Sequence, residues 1–372
     1  MSTPVTSAQL AHDLSITDLS DPADGPHAVQ QLVNVAATAL ESAWGCEARW
    51  CRGPRTVTVA DNYDNLGYQA AAVTREERYT RYVDGVRTLR SHSSAMVPPA
   101  LRRIAAEPPE DVLLVCPGIV YRRDAIDWQH TGTPHQLDLW RISRRPLGEA
   151  DLDEMITVLL GALAPGRAAR QEPRQHPYTT CGRQVDVAHG TGWVEVWECG
   201  LAHPRVLAVS GLAGHSGLAL GMGLDRLLML RKGIPDIRLL RSADPRVAGQ
   251  MRDLDPYRPA SAMPAVRRDL SVAVDPGDDN ETLGDRIRDA LGTDADCVED
   301  VMILSSTACE DLPAAAAARL GARPGQHNLL VRVVLRHLER TLTDDDANDL
   351  RDRIYAAIHR GTRHQWAMSR PA

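Results

Sequence analysis

The stretch GLALGMGLDRLLMLR, residues 217–231, sets three glycines and an aspartate–arginine pair in front of a leucine-rich helical run. Glycines let a ligand approach the backbone closely, and Arg226 suits phosphate because a guanidinium group donates to phosphate oxygens in pairs. No Lys-Ser or Lys-Thr follows, and the dinucleotide-binding spacing is absent, which argues against a glycine-rich phosphate loop. The residues alone leave open whether the stretch is a phosphate-binding turn, a bare helix start or a more specific motif.

A second polar stretch, VYRRDAIDWQHTGTPHQLDLW at 120–140, predicts a hairpin. Its first strand ends in consecutive arginines, and its second strand carries His135, Gln136 and Asp138. Side chains two residues apart in a strand face the same way, so we expect the polar groups on one face. Arg122 suits a phosphate, and a glutamine with a carboxylate suits the ammonium group of an amine. Either half alone would also be expected of a solvated surface hairpin.

The order of apolar and periodic segments predicts an α+β chain. Short apolar strands mix with amphipathic helices up to about residue 250, which indicates a largely antiparallel sheet covered by helices. A polar segment punctuated by prolines follows and marks a connection between domains. Beyond it, the order of strands and helices indicates a small ferredoxin-like split βαβ unit. We predict a first domain over 1–250, a linker over 251–263 and a second domain over 264–372.

Composition excludes several classes of protein. The net charge of -7 argues against a chain coated in positive charge for nucleic acid, although 42 Lys and Arg leave room for a local basic face. No apolar run is long enough to span a membrane, and the first residues, MSTPVTSAQLAHDLSITDL, lack the basic-then-apolar pattern of an export signal, so we expect a cytoplasmic protein with no membrane partner. Seven scattered cysteines without CxxC spacing predict reduced thiols. Phenylalanine is absent, where on the order of ten would be usual.

The two polar stretches, in this order, resemble motifs of the class II aminoacyl-tRNA synthetases, and most closely the single-chain, organellar type of phenylalanyl-tRNA synthetase. YRRDAID with HQLD resembles the family's second motif, and GLALGMGLDRLLMLRKGIPDIRLL (217–240) resembles its third. The other similar segments are LRSHSSAM (89–96), GWVEVWECGLAHPRVL (192–207), PAVRRDLSV (264–272) and RHLERTLTDDD (336–346). The resemblance runs from roughly residue 80 to 368. It implies a class II antiparallel sheet flanked by helices and a C-terminal ferredoxin-like domain that binds the anticodon.

The resemblance also implies an activity and a role for individual residues. The activity is activation of phenylalanine, or a related aromatic amino acid, by ATP and its transfer to tRNA(Phe). Arg122 and Arg226 would be the catalytic arginines, at the α- and γ-phosphates of ATP. The other implied ATP contacts are His130, Pro134, Glu195 and Gly223, with Glu195 near the Mg²⁺ that ATP carries. The implied amino-acid contacts are His92, Ser94, Gln136, Asp138, His176, Tyr178, Ala219 and Gly221, and the implied tRNA contacts are Arg267, Arg268, Arg336, Arg340 and Arg363.

The chain departs from the family mainly where the family has phenylalanine. The family's Phe-Pro-Phe is His176-Pro177-Tyr178 here, and Leu218 and Leu220 stand on either side of Ala219. Pro134 replaces the aromatic residue that stacks on adenine. One explanation is an altered pocket that favours a polar or modified aromatic amino acid. A second is avoidance of phenylalanine in a protein made when charged phenylalanyl-tRNA is scarce, and a third is drift in base composition.

Two other functions stay open at this point. One is an adenylating enzyme of secondary metabolism that delivers the acyl group to a small molecule or a carrier protein. The other is a non-catalytic paralogue that binds tRNA. The sequence allows both a monomer and a homodimer.

Overall fold

The structure is a computed structural model that describes residues 4–76, 79–123, 125–259 and 263–363. The chain forms two compact units. The first is built from the described parts of 1–122, 133–234 and 250–257, and the second from those of 123–132, 235–249 and 258–372. The predicted division at residues 250 and 263 stays a prediction.

A seven-stranded sheet is the centre of the first unit. Its strands lie in the order β1-β4-β5-β9-β8-β7-β6, and every neighbouring pair is antiparallel except β1 with β4. A separate pair, β2 with β3, is also antiparallel. The strands are β1 (Glu47–Trp50), β2 (Thr56–Thr58), β3 (Arg87–Leu89), β4 (Asp111–Ile119), β5 (His135–Ser143), β6 (Ala169–Pro173), β7 (Thr179–His189), β8 (Gly192–Ala202) and β9 (Ser216–Gly223).

Helices accompany this sheet. They are α1 (Ser7–Ser15), α2 (Ala28–Trp44), α3 (Val59–Asn62), α4 (Val97–Ala105), α5 (Glu149–Leu163), α6 (Pro204–Val209) and α7 (Leu224–Lys232). Helix α2 begins where the His27 ring accepts the backbone N–H of Val29, and ends at Gly45, whose φ of 64° is the left-handed conformation that glycine adopts freely. Its buried residues, which include Val29, Leu32, Val33 and Leu40, recur at helical spacing, and the helix packs on α5, α7 and β4.

The second unit contains a three-stranded antiparallel sheet. Strand β12 (His327–Leu335) lies between β10 (Val266–Val274) and β11 (Val298–Ala308). Strands β10 and β11 are joined through α9 (Asn280–Leu291) and both run antiparallel to β12, so they form a split βαβ unit. The other helices of this unit are α8 (Pro245–Ala248), α10 (Ala314–Leu320) and α11 (Asp344–Ile358).

The predicted fold class is confirmed by these two units. The short strands and helices predicted before about residue 250 are β1–β9 and α1–α7, and the second strand of the predicted hairpin, which carries His135, Gln136 and Asp138, is β5. No helix among the described residues is long and apolar enough to cross a membrane. All seven cysteines are free thiols, as predicted, and five of them are buried.

Candidate active site

One face of the central sheet carries polar groups beside very small residues. On β5, Gln136, Asp138 and Trp140 point to the same side because strand side chains alternate. The register places Gly223 beside Gln136, Gly221 beside Asp138 and Ala219 beside Trp140. A strand that presents glycine and alanine next to a strand of polar groups leaves the backbone uncovered by side chains. The predicted ligand contacts of Gly221 and Gly223 stay predictions.

The opposite face of the same strands is apolar. By the same alternation it carries Leu137 and Leu139 on β5, and Leu218 and Leu220 on β9. All four are buried. The two leucines that replace the family's phenylalanines therefore lie on the other side of the sheet from Ala219, and they bear on the core rather than on the candidate pocket.

Asp138 is a buried carboxylate whose partners are neutral donors. The Ser93 hydroxyl donates to Oδ2 at 2.5 Å, and the Trp140 indole N–H donates to Oδ1 at 3.1 Å. Burial raises the pKa of Asp138 to about 6, although hydrogen bonds from Ser93, Trp140 and Ser94 act to lower it. No Lys or Arg among the described residues forms a salt bridge with this carboxylate. An unpaired buried negative charge is costly, so this position suits a positively charged ligand group.

Gln136 and Ser93 connect the binding face to the segment that precedes α4. The Gln136 amide oxygen accepts the backbone N–H of Ser93 at 3.2 Å. Ser93 therefore contacts both Gln136 and Asp138. This residue was missed by the sequence reasoning, which named its neighbours His92 and Ser94.

Aromatic rings and imidazoles cover the polar face. The His92 ring stacks on Tyr68 with 5.7 Å between ring centroids. Burial, together with the nearby charge of Arg122, lowers the pKa of His92 to about 3, so the ring is neutral at physiological pH. Tyr68 also contacts Tyr178, at 6.2 Å between centroids. Tyr68 is half-buried and is a further residue that the sequence reasoning did not name.

His176 and Tyr178 lie close together. Their ring centroids are 5.3 Å apart. His176 Nε2 pairs with Glu198 at 2.6 Å, and Arg174 pairs with the other oxygen of Glu198 at 2.7 Å. Burial acts to raise the pKa of Glu198, but the hydrogen bond and charge of His176, with Arg174, outweigh it and lower the pKa overall. The loop that carries His176 and Tyr178 is therefore tied by ion pairs to β8.

Tyr178 is stacked on Trp140, with 6.0 Å between ring centroids. Burial raises the pKa of the Tyr178 phenol, so the ring stays neutral. Trp140 is fully buried and lies beside Ala219. Ala219, which the resemblance places at the floor of the side-chain pocket, has no exposed surface. Trp140 was also missed, although its spacing of two residues from Asp138 and four from Gln136 places it on the same face.

Glu195 and Glu198 lie on β8, and a shift in register brings both acids to one side of the strand. In the register of β8 with β7, Glu195 lies opposite Asp186 and Glu198 lies opposite Gln184. The segment of β8 between the two glutamates therefore has one residue more than the matching segment of β7. Burial and the Glu198 charge raise the pKa of Glu195, and Arg226 opposes this rise. No described side chain forms a hydrogen bond or salt bridge with the Glu195 carboxylate.

These acids are suited to a divalent cation. A magnesium ion that arrives with nucleotide phosphates needs only one or two protein carboxylates, because phosphate and water oxygens complete its shell. Glu195 is half-buried, its carboxylate has no hydrogen-bond or salt-bridge partner among the described residues, and it lies near a second acid, so it fits that requirement. No group of three or more His, Cys, Asp or Glu side chains suited to a metal ion is found within the described residues. The chain alone therefore offers a partial cation site.

Helix α7 positions Arg226 at its first turn. The Asp225 carboxylate accepts the backbone N–H of His135 at 2.5 Å and contacts His135 Nδ1 at 2.8 Å. These bonds fix the start of α7 against the start of β5. The Arg226 guanidinium donates to the backbone oxygen of Glu195 at 3.4 Å. His135 thus supports the helix, whereas Gln136 and Asp138 line the binding face.

Arg122 and Pro134 lie at the ends of β4 and β5. Arg122 Nε donates to the backbone oxygen of Ser91 at 2.8 Å, so its side chain crosses toward the segment that holds His92 and Ser93. The backbone oxygen of Pro134 accepts the N–H of Val120 at 2.8 Å. Both residues are partly exposed. Their predicted roles at ATP stay predictions.

The remaining predicted residues belong to the second unit. His130 pairs with Asp127 at 2.6 Å. Three of the predicted tRNA contacts are already in salt bridges: Arg268 with Asp344, Arg336 with Glu299 and Arg340 with Asp346. Arg267 and Arg363 are exposed.

Comparison with known proteins decides the family. Residues 28–251, more than half of the chain, match the family described as tRNA synthetases class II core domain (F). The chain belongs to the class II tRNA synthetases. The match covers the central sheet, α2 and the whole polar face, so the synthetase core is the unit in which the candidate site lies.

Three curated relatives are similar to this synthetase. A chloroplastic/mitochondrial phenylalanine–tRNA ligase of Arabidopsis thaliana is 28% identical over 80% of this chain and 68% of its own length. A probable mitochondrial phenylalanine–tRNA ligase of Drosophila melanogaster is 27% identical over 81% and 75%. The phenylalanine–tRNA ligase alpha subunit of Prochlorococcus marinus (strain MIT 9313) is 34% identical over 55% of this chain and 61% of its own length. The matched part of the chain thus spans about two thirds of the length of the Arabidopsis ligase and about three fifths of the length of the Prochlorococcus alpha subunit.

Proposed function

We propose that the protein activates phenylalanine or a related aromatic amino acid with ATP and transfers it to tRNA(Phe). The observation that carries this proposal is the buried Asp138 carboxylate beside Gln136, on the open face of a class II synthetase sheet. A carboxylate held by neutral donors suits the ammonium group of an amino acid, and the Gln136 amide can bind the same group. The names of the relatives support phenylalanine as the amino acid and tRNA as the acceptor.

The first step is formation of the aminoacyl adenylate. An oxygen of the amino-acid carboxylate attacks the α-phosphorus of ATP in line, the bond to the bridging oxygen breaks and pyrophosphate leaves. Asp138, Gln136 and Ser93 orient the amino acid from its ammonium end. We assign Arg122 to the α-phosphate, where charge develops, and Arg226 to the departing phosphates. A phosphate contact of His130 stays a prediction.

ATP use is general in this class of synthetase, and we assign the nucleotide's Mg²⁺ to Glu195. The ion would neutralise phosphate charge as pyrophosphate leaves. Arg226 lies beside Glu195. The two residues can therefore hold the same phosphate group, Glu195 through the bound cation and Arg226 through its guanidinium group. Pro134 cannot stack on adenine as an aromatic residue would, so contacts with the phosphates contribute a larger share of the affinity for ATP.

The second step is transfer of the acyl group to tRNA. A ribose hydroxyl at the tRNA end attacks the adenylate carbonyl, and AMP leaves. We assign the anticodon contact to the second unit through Arg267 and Arg363. Contacts from Arg268, Arg336 and Arg340 stay predictions, because acidic side chains already hold these three arginines. Membership in the tRNA synthetases does not favour the two alternatives, a non-tRNA acceptor or a non-catalytic paralogue. Cytoplasmic location and the choice between monomer and homodimer stay predictions.

Amino-acid-dependent exchange of pyrophosphate into ATP tests the first step. We expect exchange with phenylalanine, and a loss of at least about a hundredfold in kcat/KM for Arg226→Ala, because the variant loses charge stabilisation of the departing phosphates. The matched control is Arg231→Ala, on the same helix and partly exposed, which should exchange like the wild type. Equal rates for Arg226→Ala and the wild type would refute the assigned role.

A further inference from the structure

Trp140 occupies a special place on the binding face. It is the next residue along that face after Asp138, and its register partners are Leu114 on β4 and Ala219 on β9. Its indole N–H donates to Asp138 Oδ1 at 3.1 Å, so the indole edge directly borders the carboxylate assigned to the substrate ammonium. A large ring thus lies where the side chain of a substrate held at Asp138 would continue along the sheet.

The space beyond this ring is full. Trp140 and Ala219 are 0% exposed and Tyr178 is 8% exposed. Tyr178 covers Trp140 as a stacked ring, and Met96, Val97 and Cys116 belong to the same buried cluster. On the far side of Ala219, a Cβ added to Gly200 would lie 2.8 Å from the Thr180 backbone oxygen, so the sheet is closely covered there as well. No ligand atom can touch Ala219 while the two rings remain stacked.

We propose that Trp140 sets the depth of the amino-acid pocket, so that the enzyme selects a side chain no larger than a single unextended ring and rejects analogues extended at the far end of the ring. This inference rests on the proposed function, because it assumes that an amino acid binds with its ammonium group at Asp138. Residues two apart on a strand are roughly 7 Å apart, which is about the reach of a benzyl side chain. A ring held at Asp138 therefore ends against the indole.

Two partly exposed rings border Tyr178, the ring that stacks on Trp140. Tyr68 and His176 are the partly exposed rings around this position, and each contacts Tyr178. The His176 ring is itself held by Glu198 at 2.6 Å. These fixed groups allow a flat ring to lie against them, and they leave Trp140 as the residue whose volume limits length.

Pyrophosphate exchange with a series of phenylalanine analogues tests the proposal. The series contains phenylalanine and phenylalanines carrying progressively longer para substituents. The readout is the ratio of kcat/KM for an extended analogue to that for phenylalanine, because the ratio cancels any general loss of activity caused by losing the bond to Asp138. In the wild type we expect kcat/KM for the extended analogue to be about one tenth of the value for phenylalanine, or less.

Variants separate the pocket from general packing. Trp140→Leu shortens the side chain and should raise the ratio by at least about tenfold. The matched control is Trp197→Leu: Trp197 is 1% exposed and lies on β8 of the same sheet, but by alternation it points to the opposite face. This control should leave the ratio unchanged. A cooperative thermal transition confirms that each variant is folded.

Each outcome bears on a different claim. Wild-type protein that accepts extended analogues as well as phenylalanine overturns the proposal, and this result does not depend on any variant folding. An unchanged ratio in folded Trp140→Leu overturns it too. Absence of exchange with every amino acid in both proteins instead refutes the proposed function.

Discussion

Asp138 shows how burial prepares a side chain for its role. Its pKa is raised to about 6 by burial and held from rising further by hydrogen bonds. Activity that depends on the ionised carboxylate should therefore fall as pH drops through about 6. The sequence predicted that Asp138 faces an ammonium group, but a single strand pattern cannot show that Ser93, 45 positions earlier, donates to it.

Removal of the Ser93 hydroxyl should move the pH profile. The hydrogen bond from Ser93 lowers the pKa of Asp138, so Ser93→Ala raises that pKa and shifts the acidic limb of kcat/KM for the amino acid to higher pH. Pyrophosphate exchange from about pH 5 to about pH 8 measures the shift. The control is Ser210→Ala, because the buried Ser210 hydroxyl bonds to no described residue. A limb at the same pH in Ser93→Ala and the wild type would contradict the assignment.

Helix α7 shows what a motif predicts at the scale of an element. The glycines and Arg226 predicted a helix start with a phosphate ligand, and the helix begins at Leu224. What holds the helix in place comes from distant parts of the chain. Asp225 at its start bonds to His135, and Lys232 at its end donates to Asp253 and Asp255, so no local pattern around 217–231 could indicate these anchors.

Lys232 is the chain's only lysine, and it is 2% exposed. Its ammonium group donates to two backbone oxygens and one carboxylate oxygen, at 2.8, 2.5 and 2.9 Å. A planar guanidinium group cannot reproduce this compact geometry, so Lys232→Arg should lower the free energy of unfolding by about 1–3 kcal/mol even though the charge is kept. Urea denaturation measures the change. The neighbouring Arg231→Lys is the control and should stay within about 0.5 kcal/mol. Equal stability of the two variants would show that the three bonds do not matter.

At the scale of the whole molecule, two anomalies of composition have a common explanation. The chain has 41 arginines and one lysine in addition to lacking phenylalanine. Lysine and phenylalanine codons are both rich in A and T, whereas arginine has G- and C-rich codons. Drift in base composition accounts both for the scarcity of lysine and for the absence of phenylalanine, whereas avoidance of phenylalanine accounts only for the second. The replacement of the family's two phenylalanines by Leu218 and Leu220 is consistent with drift, because these leucines lie on the apolar face of the sheet and do not change the candidate pocket.

Charge is distributed unevenly along the chain. Residues 264–372 contain 14 arginines and 19 aspartates and glutamates, so most of the net charge of -7 lies there. The resemblance predicted an RNA-binding face from arginines alone. It could not show that acidic side chains neutralise several of them, because the partners Asp344, Glu299 and Asp346 are brought close by folding.

Paired and unpaired arginines should therefore differ in their effect on tRNA binding. Arg267 is exposed, and Arg267→Ala should weaken tRNA binding and reduce the slope of log affinity against log salt by about one. Arg268 is its neighbour and is bonded to Asp344 and Asn348, so Arg268→Ala should change the slope little. Titration of labelled tRNA at several salt concentrations compares the two. Equal slopes for both variants would argue against a contact at Arg267.

Transfer of labelled phenylalanine to tRNA tests the central claim most directly. Purified protein is incubated with ATP, Mg²⁺, bulk tRNA and labelled phenylalanine, and the label that precipitates with tRNA is measured, with Arg226→Ala as the inactive control. We predict label on tRNA that depends on ATP and is absent in Arg226→Ala. Folded wild-type protein that places no label on tRNA, with phenylalanine or any other amino acid, would contradict the account.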